Sequence, residues 1–420
     1  MLKASFEMIL SDKGLLVALG VLFLAAVSQA ADAPPTSRPI VPEGGKRVPK
    51  NEVFSMTIAP WTVENQRHDT SQIFPLRDGR LMLTWCEYYV NRPSMLNRNS
   101  YDGHGNRDDA PCRIVARITA DGGRTWTGRM VLQDNVGANN VKHQNLIRCA
   151  NGDVLMLFTQ WDLKSQERSV QYKRSTDDTE TWSPVQQLTP PGGSYILDAG
   201  RIFRHSSGRI ILPIFWTPEV WTSQEKIEAF AYYSDDDGVT WKASSNRISM
   251  PKRGAMEPTM VERKDGSILA YLRSDVGYLY QSESKDRGET WSAASPTTLT
   301  SPQAEPCLRR IPSTGDLLLL WCNTLPYAMT HGVGTMHYPR NPLSAAVSRD
   351  DGKTWENVKN IENRVGYISA YPNVYFNNDE AIITYYHASE SESRDAELML
   401  KIFPIDWFYR MPLTPKPAAP

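Results

Sequence analysis

The chain carries almost no surplus charge: 46 Lys and Arg stand against 47 Asp and Glu, a formal net charge of −1 over 420 residues. A surface that tracks a phosphate backbone needs a basic excess, so nucleic acid is not an expected partner. Zinc-type spacing is missing as well, since no Cys-x-x-Cys and no His-x-x-x-His occurs. Long apolar runs are scarce. The one candidate, Leu15 to Val27, falls short of the roughly 20 residues a spanning helix needs. Lys3 and Lys13 precede it and Ser28-Gln29-Ala30 follow, so residues 1–30 read as a secretory signal peptide. The expected location is secreted or periplasmic, with no stable membrane insertion after cleavage. Cysteines are few and odd in number, five, so at least one has no partner within the chain. Export permits disulfides. Cys307 and Cys322 sit symmetrically about Thr314-Gly315, and Cys86 and Cys112 flank a long loop, so each pair is a candidate bridge.

What the chain does have is one phrase, repeated. Ser234-Asp235-Asp236-Asp237-Gly238-Val239-Thr240-Trp241 and Ser348-Arg349-Asp350-Asp351-Gly352-Lys353-Thr354-Trp355 are the best copies; others begin at Thr119, Ser175 and Ser284. Each reads Ser/Thr-x-Asp-x-Gly-x-Thr-Trp, except that Thr179 replaces the Gly of the second copy. The pattern describes a hairpin turn. The Asp accepts hydrogen bonds from nearby backbone, the Gly permits positive φ, and the Trp seals the turn with apolar surface. Starts at 119, 175, 234, 284 and 348 lie 56, 59, 50 and 64 residues apart, which marks a repeat architecture.

The context repeats too. Asp78-Gly79, Asn151-Gly152, Ser207-Gly208, Asp265-Gly266 and Thr314-Gly315 each precede an apolar strand, and Asn377-Asn378-Asp379 opens a sixth, degenerate unit. Six such units of four strands predict an all-β chain folded as a six-bladed β-propeller over residues 51–412. The sixth unit lacks the phrase, so a strand near Phe54-Ser55-Met56-Thr57-Ile58 is expected to complete it and close the ring. Residues 31–50 are rich in Pro and polar side chains and form an expected flexible lead-in; residues 413–420 form a loose tail.

The five phrases resemble the Asp-boxes, or BNR repeats, of the sialidase (neuraminidase) superfamily. The likeness extends beyond them. Glu257-Pro258-Thr259-Met260-Val261-Glu262 followed by Arg273 is similar to the stretch in which a Glu begins one strand and an Arg ends the next. Tyr371, 31 residues after Arg340, resembles the Tyr that opens the last blade after a clamp arginine. Asp108, before Arg117, resembles the loop Asp that serves as acid/base, with Asp102 and Asp109 as alternatives. The family's first clamp arginine lies in a Phe/Tyr-Arg-Ile-Pro stretch. Here Gln66-Arg67-His68-Asp69-Thr70 stands instead, with Arg67 twelve residues before Gly79.

The resemblance implies catalysis by Tyr371, Glu257 and Asp108, with Arg67, Arg273 and Arg340 binding substrate. His143 and Gln144, and Asp198 and Arg201, open the second and third units and are expected to line the same well. Paired guanidinium bonds suit a sugar carboxylate, and a phenol can attack where a carboxylate nucleophile would be repelled. A phenol ionises only near a pKa of about 10, so it needs a base beside it, the role implied for Glu257. The implied protein is an exported sialidase-like glycosidase acting on a glycan, with neither metal nor organic cofactor. The changed Arg67 segment leaves two other readings open, a carbohydrate-binding propeller without catalysis and a propeller hydrolase or lyase acting on another polysaccharide.

Overall fold

The structure, a computed structural model, describes residues 52–90, 108–135, 139–162, 167–219, 226–324, 340–389 and 395–410. The expected signal peptide, lead-in and tail, Asp102 and most of the loop between Glu87 and Ala110 lie outside these residues. Among the described residues the chain is all strand apart from a single 3₁₀ turn at Ile405–Phe408.

Strand β1 (Phe54–Ala59) precedes a series of antiparallel meanders. The first is β2 (Arg67–Pro75), β3 (Leu81–Tyr88), β4 (Cys112–Thr119) and β5 (Met130–Gln133). The second is β6 (Asn140–Arg148), β7 (Val154–Trp161), β8 (Arg168–Ser175) and β9 (Gln186–Gln187). In the third, β10 (Ser194–Ile196) and β11 (Phe203–Arg204) lie end to end along β12 (Ile210–Thr217), followed by β13 (Glu228–Ser234) and β14 (Lys242–Ala243). The fourth is β15 (Met256–Glu262), β16 (Ile268–Arg273), β17 (Tyr278–Ser284) and β18 (Ser295–Thr300). The fifth is β19 (Cys307–Arg310), β20 (Leu317–Cys322), β21 (Leu343–Ser348) and β22 (Glu356–Glu362). The last is β23 (Tyr367–Asn377), β24 (Glu380–Ser389) and β25 (Ala396–Pro404), with β1 as its fourth strand: Phe54 pairs opposite Ile402. The expected N-terminal closing strand is therefore in place.

The apolar core is divided among the seams between meanders. Met82, Ile114 and Ala116 of the first pack with Met156 and Phe158 of the second. Leu155 and Leu157 meet Leu212 and Ile214, and Ile211 and Ala231 meet Ile268 and Ala270. Leu269 and Tyr271 meet Leu317 and Leu319, and Leu318 and Val347 meet Ile383 and Phe403. Ile382 and Ile402 of the last set return to Leu83 and Val115 of the first. Alternation along each strand feeds one face into each seam, as period-two geometry requires.

The repeated phrase folds as its residue types dictate. In all five copies the Asp carboxylate accepts from the Ser or Thr two residues earlier and from the backbone N–H of the Thr four residues later. The opening hydroxyl in turn accepts from the N–H of the fifth position. These bonds hold the Asp177 and Asp350 carboxyls down at about 2, the bonds from Thr181 and Thr354 contributing most. Thr179 keeps the same hydrogen bond at φ 83°, where the other copies have Gly or the same left-handed backbone. Each Trp packs on the preceding meander: Trp126 on Ile382 and Ile402, Trp182 beside Met82, Trp241 beside Leu155, Trp291 on Ile211, and Trp355 on Tyr271. The last meander has no phrase. Its seam is sealed by Trp407 and Phe408 of the 3₁₀ turn, packed with Leu318 and Val347.

The candidate disulfides do not form. All five cysteines are buried free thiols. Cys307 pairs opposite Leu320 and Cys322 opposite Leu343, so the hairpin register is two residues away from facing the thiols. Cys86 likewise faces Ile114 and Cys112 faces Tyr88.

Candidate active site

The first strand of most meanders is broken at one place. Register shifts fall between Asp69 and Ser71, Lys142 and Asn145, Met256 and Thr259, and Ala370 and Asn373. At each break one residue takes positive φ: Thr70 (33°), His143 (62°), Glu257 (39°) and Tyr371 (52°). In the third meander the break between β10 and β11 holds Gly200 at 63°, where a Cβ would lie 2.4 Å from Asn373 Nδ2. Such bulges carry one extra residue, bend the strand and re-aim side chains. Left-handed backbone at non-Gly residues is costly and collects where function needs it.

Charged groups converge at these bulges. Arg67 Nε and Nη2 both reach Oδ2 of Asp69 at 2.6 Å, and Nη1 reaches Oδ1 of Asp108 at 2.7 Å. Its guanidinium lies 4.7 Å from the Tyr88 ring and 5.9 Å from that of Tyr386. Arg273 Nη1 bonds both oxygens of Glu257, at 2.7 and 2.5 Å. The Arg340 guanidinium sits 5.3 Å from the Tyr371 ring and donates to the Gln303 carbonyl at 3.1 Å. Tyr386 meets Tyr371 edge to face at 5.9 Å.

The electrostatics tie these groups into one constellation. Burial opposes the charge of all three arginines, yet each stays firmly protonated. For Arg67 the compensating groups are Asp69, Tyr88, Asp108 and Tyr371. For Arg273 they are Glu257 and Tyr371, with Arg340 close enough to repel it. For Arg340 the strongest is Tyr371, to which it is also hydrogen-bonded. Tyr371 is thus the common neighbour of three guanidiniums, and Arg273 links it to Glu257. Tyr386 is pushed up to about 12 by burial, so it stays a neutral phenol between Arg67 and Arg340. His143 is driven down to about 3 by burial and by Lys142, and is neutral.

Of the sequence-derived candidates, Arg67, Asp108, Glu257, Arg273, Arg340 and Tyr371 gather here. Asp108 remains well exposed, with 42% of its side chain accessible against 8% for Arg67. His143 is half-buried and lies within electrostatic reach of Asp108 and Arg67. Three expected lining residues do not line an open well. Gln144 is wholly buried and spends its amide on the Thr70 carbonyl and the Cys86 thiol. Asp198 and Arg201 are buried against each other at 3.0 Å. Arg201 also pairs with Glu305 and donates to the carbonyls of Pro306 and Pro372, so it braces three meanders from within.

Asp69, Tyr386, Asn140 and Lys142 were not singled out from sequence. Asp69 was legible: two residues after Arg67 on a strand, it shares that residue's face. Tyr88 lies directly opposite Arg67 across the first hairpin, which only the register reveals.

A model of the BNR repeat-like domain family matches residues 99–387. The anhydrosialidase of Macrobdella decora is 28% identical over 126 residues, a stretch covering 28% of this chain and only 16% of that protein. Among solved structures, a protein of unknown function from Dyadobacter fermentans superposes with a TM-score of 0.65 at 16% identity, covering 84% of this chain and 99% of that one. A mutant NanB sialidase from Streptococcus pneumoniae gives 0.63 at 14% identity, covering 85% of this chain and 71% of that one. Trypanosoma rangeli sialidase in complex with sialic acid gives 0.63 at 13% identity, covering 84% of this chain and 59% of that one. At these identities the superpositions speak for the fold.

Proposed function

The chain belongs to the BNR repeat-like domain family, and from that premise we propose that it is an exported sialidase-type glycoside hydrolase. Its six strand sets are read as the blades of one propeller, a reading supported by core clusters that run from each set to the next and from last to first. The substrate is a glycan ending in sialic acid or a related acidic sugar. Arg67, Arg273 and Arg340 bind its carboxylate. The Tyr371 hydroxyl attacks the anomeric carbon while Glu257 takes the phenolic proton, and Asp108 gives a proton to the departing glycosidic oxygen. Water then attacks the tyrosyl-glycoside, Asp108 taking its proton and Tyr371 recovering its own, so the sugar leaves with retained configuration.

One observation carries the reading: a phenol ringed by three guanidiniums, two of which hold carboxylates, Arg67 those of Asp69 and Asp108 and Arg273 that of Glu257. A neutral glycan offers these guanidiniums no charge, whereas a substrate carboxylate can form paired, charge-assisted bonds with them. The test is turnover of a fluorogenic sialoside by purified protein. Wild type is expected to release the fluorophore, and Tyr371→Phe to lose about 10³-fold or more of kcat. No turnover by wild type, or full turnover by the variant, rejects the mechanism.

A further inference from the structure

Asp108 is held by the meander next to its own. Asn140 and Lys142 of β6 are both buried, at 0% and 7% exposure. They alternate along the strand and so share one face. Asn140 Nδ2 donates to the carbonyls of Asp108 at 2.9 Å and of Ala110 at 3.1 Å. Lys142 Nζ donates to the Asp108 carbonyl at 3.4 Å. The amide orientation is dictated by chemistry, because its reverse would set Asn140 Oδ1 against two carbonyl oxygens. The Asp108 carboxylate, meanwhile, accepts from Arg67 Nη1 at 2.7 Å and keeps 42% of its side chain accessible.

We propose that Asn140 and Lys142 are positioning residues: by clamping the backbone of Asp108 across the seam between meanders, they fix where its carboxyl delivers a proton. The inference rests on the sialidase reading, with Asp108 as the acid. Two buried donors on one carbonyl leave that peptide little freedom, while the carboxyl beyond it stays partly exposed. A displacement of about 1 Å in a reacting group can cost roughly a hundredfold in rate. Neither residue touches substrate in this scheme, so each acts through Asp108.

The test exploits leaving groups. A nitrophenolate departs without protonation, whereas the sugar alcohol of sialyllactose must be protonated as the bond breaks. Full-length Asn140→Leu, Lys142→Gln and Asp108→Asn proteins are assayed beside wild type on 4-nitrophenyl sialoside and on sialyllactose. The ratio of the two kcat/KM values is the readout, since it cancels any difference in the folded fraction. Each positioning variant is expected to lose about tenfold to a hundredfold on sialyllactose and little on the nitrophenyl substrate, as Asp108→Asn does more strongly. Equal losses on both substrates, or no loss on either, overturn the positioning role. If Asp108→Asn itself shows no leaving-group dependence, Asp108 is not the acid, and the reading beneath the proposal fails first. A wild type inert on both substrates overturns reading and proposal together.

Discussion

Two regions of this molecule use the same uncommon backbone for opposite ends. In the repeated turns Asp237, Arg287 and Asp351 sit at φ 60°, 60° and 58°; at the first-strand bulges His143, Glu257 and Tyr371 sit at 62°, 39° and 52°. In the turns the carboxylate at the third position of each phrase is satisfied within the phrase itself, by bonds such as Thr354 N–H to Asp350 at 2.8 Å. At the bulges satisfaction comes from far along the chain: Glu257 meets Arg273, and Tyr371 meets Arg340. The turn stores the charge of that Asp in local bonds, while the next residue ties it to the neighbouring meander, Asp237 accepting from Ala150 N–H and Asp351 from Lys264 N–H. The bulge holds side chains whose charges are balanced only when distant strands assemble, an arrangement suited to a site that can exchange an internal partner for a ligand.

Separability of the two regions can be tested, and the largest effect belongs to the bulges. Glu257→Gln keeps the shape of the side chain and removes the base, so kcat is expected to fall by about 10²- to 10⁴-fold while the thermal midpoint barely moves. A large drop in the midpoint would mean that the Glu257–Arg273 pair holds the fold together rather than serving the site. Asp350→Ala reverses the pattern. It deletes the acceptor for Ser348, Lys353 and Thr354 and is expected to cost about 1–3 kcal/mol in urea unfolding, with kcat/KM of the folded enzyme unchanged. Loss of kcat/KM there would join the two regions.

Acid titration sharpens the contrast. The Asp177 and Asp350 carboxyls, at about 2 in the fold, titrate near about 3.9 in the unfolded chain. A depressed folded value contributes stability that is complete above the unfolded value and lost as pH falls through the folded one. Urea midpoints are therefore expected to decline between about pH 4 and pH 2, with a shallower slope in Asp350→Asn. An unchanged slope would mean these carboxyls are not held as described. The smallest effect is a gain. Thr179 occupies a Gly position at φ 83°, so Thr179→Gly relieves backbone strain at some cost in unfolded-chain entropy, for a net gain of up to about 1 kcal/mol. A loss of stability would show that the Thr179 side chain contributes more than its strain removes.

The same contrast explains what could be read without coordinates. The phrase is local: Asp350 and Thr354 are four residues apart, so their bond is legible in the letters. The pairing of Phe54–Ala59 with the last set was legible because the last unit lacked the phrase. Its missing Trp was not, since Trp407 and Phe408 seal that seam from a turn resembling nothing in the other repeats. At the site, the resemblance to sialidases pointed to Arg67, Asp108, Glu257, Arg273, Arg340 and Tyr371. It could not tell a side chain facing a ligand from one consumed in the buried interior. Asp198 and Arg201 occupy a strand opening just as His143 does, but Arg201 turns inward to Glu305, Pro306 and Pro372. That outcome depends on partners 105 and 171 residues away, separations at which a single sequence offers no pairing signal.

Strand β1 has a final consequence, one of timing. Its neighbour β25 begins at Ala396, so Phe54–Ala59 leaves the ribosome long before anything exists for it to pair with. Until then its edge is an open invitation to other chains, and a latch that shuts last is also where pulling or heating finds the first gap. A covalent staple between those two strands would therefore guard the last meander, although it touches none of the charged groups at the bulges.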